Sequence, residues 1–200
     1  PSDKFDRASL KAKNEYVTPG STVNVNAAGV SPAGTAAVIP ENATWQMKDA
    51  TMGTVVDGVF TASDKTGAAV VQMTVDGKVV GETTVNVVIP DKLTFNSSSM
   101  TVPYDKSVEI GMTATYGLNK VVLKADDIVF NIDEQAIGTL NGFVFTAASE
   151  GVSVTTTTIT ATLVYKSEIK AAAEIKLGKG SEIIFDFEDG TTGGLRFSEP

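Results

Sequence analysis

The chain repeats itself. Displaced by about 85 residues, a long ungapped stretch realigns with itself. Ala43-Thr44-Trp45-Gln46-Met47 falls on Ile128-Val129-Phe130-Asn131-Ile132, and Met52-Gly53-Thr54 falls on Ile137-Gly138-Thr139. Val59-Phe60-Thr61-Ala62 meets Val144-Phe145-Thr146-Ala147, and upstream Thr22-Val23-Asn24-Val25 meets Ser107-Val108-Glu109-Ile110. The shared features are apolar positions, glycines and strand-like alternation. The charged chemistry is not shared: Lys48 meets Asp133, and Asp57 meets Gly142. A fold has been duplicated while its polar decoration drifted.

A repeat of this length divides the 200 residues into two small domains, each the size of a β-sandwich. The expected division is 1–90, 91–178, and a remainder at 179–200 that begins a further domain. Val, Thr, Ile and Ala dominate, in short alternating runs separated by Gly, Pro, Asn and Asp, so the class is all-β. The first copy gives strands over 22–26, 44–47, 52–55, 59–61, 70–75 and 79–88. Asp57-Gly58 and Asp76-Gly77 are hairpin dipeptides. The second copy gives strands over 107–115, 128–132, 137–140, 143–146, 152–165 and 168–177, with Asn141-Gly142 as a turn. Ala171-Ala172-Ala173 has helical propensity, but its place in the repeat makes it a final strand. The joint Ile89-Pro90-Asp91 leaves little slack and favours a stiff tandem.

Composition removes several function classes. Cysteine and histidine are both absent. There is no disulfide framework, no thiolate or imidazole metal ligand, and no Ser-His or Cys-His nucleophile pair. The net charge is −8, with lysines scattered singly, which disfavours nucleic acid and anionic lipid as partners. No window approaches the roughly 18 uninterrupted apolar residues of a membrane span. Pro1-Ser2-Asp3-Lys4 has no apolar leader core, so the chain is expected to be a piece of something longer.

Carboxylates are the remaining catalytic raw material: Asp126-Asp127, Asp133-Glu134 and Glu188-Asp189. Glycoside hydrolysis needs two of them facing each other roughly 5 to 10 Å apart. Neighbours on a strand point to opposite faces, so an adjacent pair does not supply that geometry. Neither of the first two pairs recurs as a pair in the other copy. Trp45 offers a sugar-stacking face, yet Phe130 holds an aromatic at the same repeat position, which points to core. Thr155-Thr156-Thr157-Thr158 is a possible O-glycosylation tract, but it lies within a continuing strand pattern. No catalytic residue and no cofactor is expected.

Ala43-Thr44-Trp45, Met52-Gly53-Thr54 and Asp57-Gly58-Val59-Phe60-Thr61-Ala62 resemble the "vtWs … iGti … nGlFtA" pattern of bacterial Ig-like domains of the Big family. The second copy keeps Ile137-Gly138-Thr139 and the run Asn141 to Ala147, with Phe130 in place of the tryptophan. Val17-Thr18-Pro19-Gly20-Ser21-Thr22-Val23 is similar to the family's entry strand. The resemblance spans nearly all of 1–178. It implies tandem Ig-like sandwiches serving as a non-catalytic spacer or presentation module of a bacterial cell-surface or secreted multidomain protein. Adjacent domains of the same polypeptide are the implied partners. The alternative is a carbohydrate-binding or adhesin module, for which 29–40 and 117–127 are the loops to inspect.

Beyond Gly178 the repeat stops. Ile183-Ile184-Phe185-Asp186-Phe187-Glu188-Asp189-Gly190 resembles the first strand of galactose-binding-like jelly rolls found in carbohydrate-binding modules. That likeness implies a carbohydrate-acting parent, polysaccharide as a partner, and a partial calcium site at Glu188 and Asp189. A full calcium site needs six to eight oxygens.

Overall fold

The structure is a computed structural model and describes residues 4–179 together with 184–185 and 195–196. Extended segments dominate from the start. They are β1 (Arg7–Ala12), β2 (Tyr16–Val17), β3 (Thr22–Val30), β4 (Ala36–Ala37), β5 (Thr44–Met47), β6 (Gly53–Val56), β7 (Val59–Ala62), β8 (Gly67–Val75) and β9 (Lys78–Val87). Next come β10 (Lys92–Phe95), β11 (Ser99–Pro103), β12 (Ser107–Glu109), β13 (Met112–Tyr116), β14 (Asn119–Val121), β15 (Ile128–Ile132), β16 (Gly138–Asn141), β17 (Val144–Ala147), β18 (Thr156–Leu163) and β19 (Lys170–Gly178). Last, β20 (Ile184–Phe185) pairs antiparallel with β21 (Leu195–Arg196). Among the described residues, three single-turn 3-10 helices interrupt the strands, at Ala50–Met52, Ala125–Asp127 and Gln135–Ile137.

The described residues form two compact units, 4–91 with 114–124, and 92–113 with 125–179. In the first, one sheet runs β1-β3-β7-β6, with β4 added on β3, and a second runs β2-β9-β8-β5. The first strand pairs with one sheet, and its continuation β2 crosses to pair parallel with the last strand, β9. That order defines an immunoglobulin-like sandwich. Val122 bridges Val17 in parallel beside β2, and 114–124, with the turn of the β13–β14 hairpin, belongs to this unit.

The second unit follows the same order. One sheet runs β11-β19-β18-β15, with β11 parallel to the last strand, β19. The opposing layer is β12-β17-β16. The 107–115 run expected as one strand is two, β12 and β13, parted at Ile110-Gly111. The Asn96 amide donates to the Gly111 carbonyl at 2.9 Å at this break.

Each unit buries its own core, and the cores match position by position. Val17, Val25, Met52, Phe60 and Ala62 line the first. Val102, Ile110, Ile137, Phe145 and Ala147 line the second. Phe60 and Phe145 are fully buried. Burying a phenyl ring contributes about 1.5–3 kcal/mol, so these two anchor their sandwiches. Each lies against a glycine. A Cβ on Gly53 would stand 2.8 Å from Phe60 Cε1 and collide with the Thr61 carbonyl. A Cβ on Gly138 would stand 2.6 Å from Phe145 Cζ and collide with the Thr146 carbonyl. The Gly-Thr pair of the repeat is therefore a packing requirement.

Strands β1, β10, β11 and β14 escape sequence reading, and β1 shows why. Its inward residues include Ala8 and Ala12, too small to make an apolar stripe, and it packs where Gly81 leaves room for the Ala8 carbonyl.

Candidate functional site

The sequence-marked residues fall into three environments. Glu188 and Asp189, the partial calcium pair, lie outside the described residues. Among the described residues no cluster of three or more acidic side chains is placed to hold a metal ion.

The acid pairs sit in turns. Asp126 and Asp127 occupy the 3-10 turn before β15, with Asp126 exposed and Asp127 fully buried. The Tyr165 hydroxyl donates to Asp127 Oδ1 at 2.6 Å, and the Val164 amide donates to the Asp127 carbonyl at 2.9 Å. This carboxylate ties the end of β18 back to the start of β15. Asp133 and Glu134 are exposed, and Glu134 precedes the 3-10 turn Gln135–Ile137 without a side-chain cap.

The matching turn of the first unit is capped. Asp49 Oδ1 accepts from Thr51 Oγ1 at 2.7 Å and from the Thr51 amide at 2.9 Å. Those two bonds, side chain first, hold its carboxyl below the usual carboxylate range, and the nearby Lys65 charge adds to the effect.

The aromatics at the repeat position pack against their own cores. Trp45 is half-buried and packs on the first core, and a Cβ on Gly58 would stand 3.3 Å from its Cζ2. Phe130 is half-buried too, 6.3 Å from Phe95 and edge-on to Phe143 at 5.8 Å between ring centres. Neither ring is the fully buried anchor of its sandwich; Phe60 and Phe145 are.

The threonine tract divides by face. Thr157 is buried, and its Oγ1 accepts from the Glu134 amide at 2.9 Å. Thr156 and Thr158 point outward from β18.

The two loops differ in kind. Within 29–40, Ser31 is fully buried, its Oγ lies 2.7 Å from Thr35 Oγ1, and the Thr35 amide donates to it at 3.1 Å. That loop closes on itself. The 117–127 stretch instead holds the turn of the β13–β14 hairpin and β14, with Leu118 fully exposed at the tip and Tyr116, just before it, 46% exposed.

One cleft, which sequence reasoning missed, lies within the first unit. It holds about 460 Å³ and is lined by Tyr16, Thr66, Gly67, Ala68, Asn86, Val87, Val88, Ile89 and Tyr116. Asn86 Nδ2 donates to the Glu15 carbonyl at 3.3 Å. The lining brings two phenols and one amide but no carboxylate and no amine, so it offers surface for stacking and hydrogen bonding rather than proton transfer. No sequence signal joins its parts, which come from strands far apart in the chain.

No protein family profile matches the chain, and no curated protein sequence matches it. Among solved structures it is similar to domains 4 and 5 of the S-layer protein SbsC, at 12% identity, with 87% of this chain and 98% of that one covered and a TM-score of 0.35. It is also similar to the Yersinia pseudotuberculosis adhesin InvE, at 15% identity, 88% and 60% coverage and a TM-score of 0.35. A third is the Escherichia coli adhesin FdeC, at 12% identity, 93% and 68% coverage and a TM-score of 0.34.

Proposed function

We propose that this chain is a non-catalytic spacer and presentation segment of a bacterial cell-surface or secreted protein, built from tandem Ig-like domains of the Big type. The observation that carries the reading is where the chemistry-bearing side chains are used. Trp45 and Phe130 pack on their own cores, Asp127 closes a turn, and Asp49 caps one. The duplicated residues are the packing residues, and the charges change freely around them. A segment selected for length and foldability keeps its cores and lets its surface drift.

Residues 179–200 belong, in this reading, to a further domain. Among the described residues the last member of the second core is Leu177, at the end of β19, which supports that boundary. A calcium site using Glu188 and Asp189, and any action on carbohydrate by the parent protein, would belong to that domain.

The test is incubation of the purified chain with β-glucans, xylan, chitin and peptidoglycan, together with a glycan array. The expected outcome is neither turnover nor saturable binding. Turnover abolished by an Asp or Glu substitution would overturn the assignment. One observation favours a second reading, a carbohydrate-binding module: the cleft between Tyr16 and Tyr116. Array binding lost on Tyr116→Ala would establish it.

A further inference from the structure

The chain has one asparagine followed by glycine, Asn141, and the fold places it at the last position of β16. β16 and β17 pair from Gly138↔Ala147 to Asn141↔Val144. The Ala148 amide donates to the Ile137 carbonyl at 2.8 Å, which sets the parity of this ladder. Counted by twos from there, Asn141 and Val144 are a hydrogen-bonded pair and exchange both of their backbone bonds. The Gly142 amide comes after this pair and lies outside the ladder.

Asparagines elsewhere are held by their side chains. Asn42 Nδ2 donates to Asp76 Oδ1 at 2.8 Å, Asn86 Nδ2 to the Glu15 carbonyl at 3.3 Å, and Asn119 Nδ2 to the Tyr116 carbonyl at 3.4 Å. Asn96, which precedes the small Ser97, accepts on its Oδ1 from Thr113 Oγ1 at 2.6 Å. The Asn141 side chain is exposed, and among the described residues no hydrogen bond holds its amide. Beside it Gly142 is open: the nearest atom to a Cβ built there is the Ala125 Cβ, at 3.6 Å.

We infer that Asn141-Gly142 is a site of spontaneous covalent modification, which turns the amide into a carboxylate and loosens the second unit by lengthening its backbone. The Gly142 nitrogen attacks Asn141 Cγ and gives up its proton. A Cγ–N bond forms, the Cγ–Nδ2 bond breaks, and ammonia leaves with that proton. The product is a five-membered succinimide. Water then adds to one of its two carbonyl carbons, and the bond from that carbon to nitrogen breaks. Opening at Cγ gives aspartate, and opening at the main-chain carbonyl gives isoaspartate. Overall one amide and one water become one carboxylic acid and one ammonia, with no change of oxidation state. Glycine favours the step because no Cβ hinders the approach to its nitrogen.

Both products add a negative charge. Isoaspartate also carries the main chain through the side-chain methylene, one backbone atom longer than before. That atom falls at the pair closing the hairpin, next to Leu140↔Phe145, and Phe145 is the fully buried anchor of the second core. The first unit closes its hairpin with Val56↔Val59 around Asp57-Gly58 and has no amide there. An ionised Asp57 carboxylate is a poor electrophile and reacts far more slowly. The change therefore falls on the second unit. The inference concerns the covalent chemistry of one turn and stands whatever the chain presents.

Ageing the full chain in warm, mildly alkaline buffer tests it. Peptide mapping by mass spectrometry, with fragmentation that tells isoaspartate from aspartate, follows each asparagine. Asn141 should convert while Asn96 stays intact, with ammonia released in step. In calorimetry of the aged chain the second-unit transition should fall by about 4–8 °C. The first unit, followed by Trp45 fluorescence, should be unchanged. Asn141→Gln should age with neither change. Asn141→Asp carries the charge on an ordinary backbone and should keep the wild-type transition. An Asn141 that reacts in urea but stays intact in the folded chain would overturn the site, and so would equal conversion of Asn96. Isoaspartate at 141 with an unlowered second transition, or an Asn141→Asp chain lowered as far as the aged one, would overturn the loosening by backbone length.

Discussion

Gly58 and Trp45 are a matched pair: a Cβ on Gly58 would stand 3.3 Å from Trp45 Cζ2 and 3.0 Å from the Val25 carbonyl. The equivalent positions of the second unit hold Phe143 and Phe130, whose rings meet edge-on at 5.8 Å. The exchange is permitted by the turn. In the first unit Asp57 and Gly58 both have positive φ, 49° and 79°, the pattern of a type I′ hairpin. In the second, β16 and β17 pair up to Asn141↔Val144, so the loop is Gly142-Phe143, and only Gly142 has positive φ. That is the type II′ pattern, with glycine first and a free second position. The large indole packs beneath a bare turn, and the smaller phenyl is covered by a side chain from the turn.

Gly58→Ala should therefore destabilise the first unit, by about 1–2 kcal/mol for the left-handed backbone alone and more for the crowding against Trp45. Gly142→Ala should cost less, because its Cβ would meet only Ala125 Cβ, at 3.6 Å. Urea unfolding compares them. Trp45 is the single tryptophan, so its fluorescence reports the first unit.

Gly53→Ala and Gly138→Ala should each destabilise their own unit by about 2–4 kcal/mol, because the added carbon meets a backbone carbonyl and a fully buried ring, neither of which has room to move. Calorimetry of the two single variants should show one transition lowered in each, and a different one.

Tyr165→Phe should cost about 1–3 kcal/mol, more than an ordinary half-exposed position, because it removes a donor from the buried Asp127 carboxylate. Thermal unfolding of the second unit measures it. A variant at wild-type stability would free Asp127 for another role.

Asp49 gives a pH signature. Its carboxyl is held below the usual range in the folded chain, so its contribution is full above the unfolded carboxylate value and fades as pH falls through the lower folded value. The stability difference between wild type and Asp49→Ala should be constant at neutral and mildly acid pH and should shrink under strongly acid conditions. An unchanged difference there would contradict the capping role.

Deleting 181–200 should leave both unfolding transitions where they are, because among the described residues the last member of either core is Leu177. A lowered second transition would place tail residues in the second sandwich.

Alternation alone locates most of the strands. Residues such as Val23, Val25, Phe60 and Ala62 announce which face is buried, and the repeat marks the Gly-Thr positions as fixed before any contact is known. The candidate site was less legible. Asp127 reads as a turn charge by its neighbours, but in the fold it is a buried acceptor of the Tyr165 hydroxyl, thirty-eight positions away. The cleft between Tyr16 and Tyr116 has no linear signature at all.

The sequence by itself determined an all-β chain, its hairpins, its duplicated cores and the lack of imidazole and thiol chemistry, because each of these follows from residue identity and short-range spacing. Tertiary structure alone decided that the alanine-rich Arg7–Ala12 is a strand, that the chain breaks at Ile110-Gly111, that the second hairpin turns on Gly142-Phe143, and that 114–124 folds with the first unit. Those outcomes depend on how closely distant backbones approach and which side chains they cover, and neither is encoded in the local period of the chain.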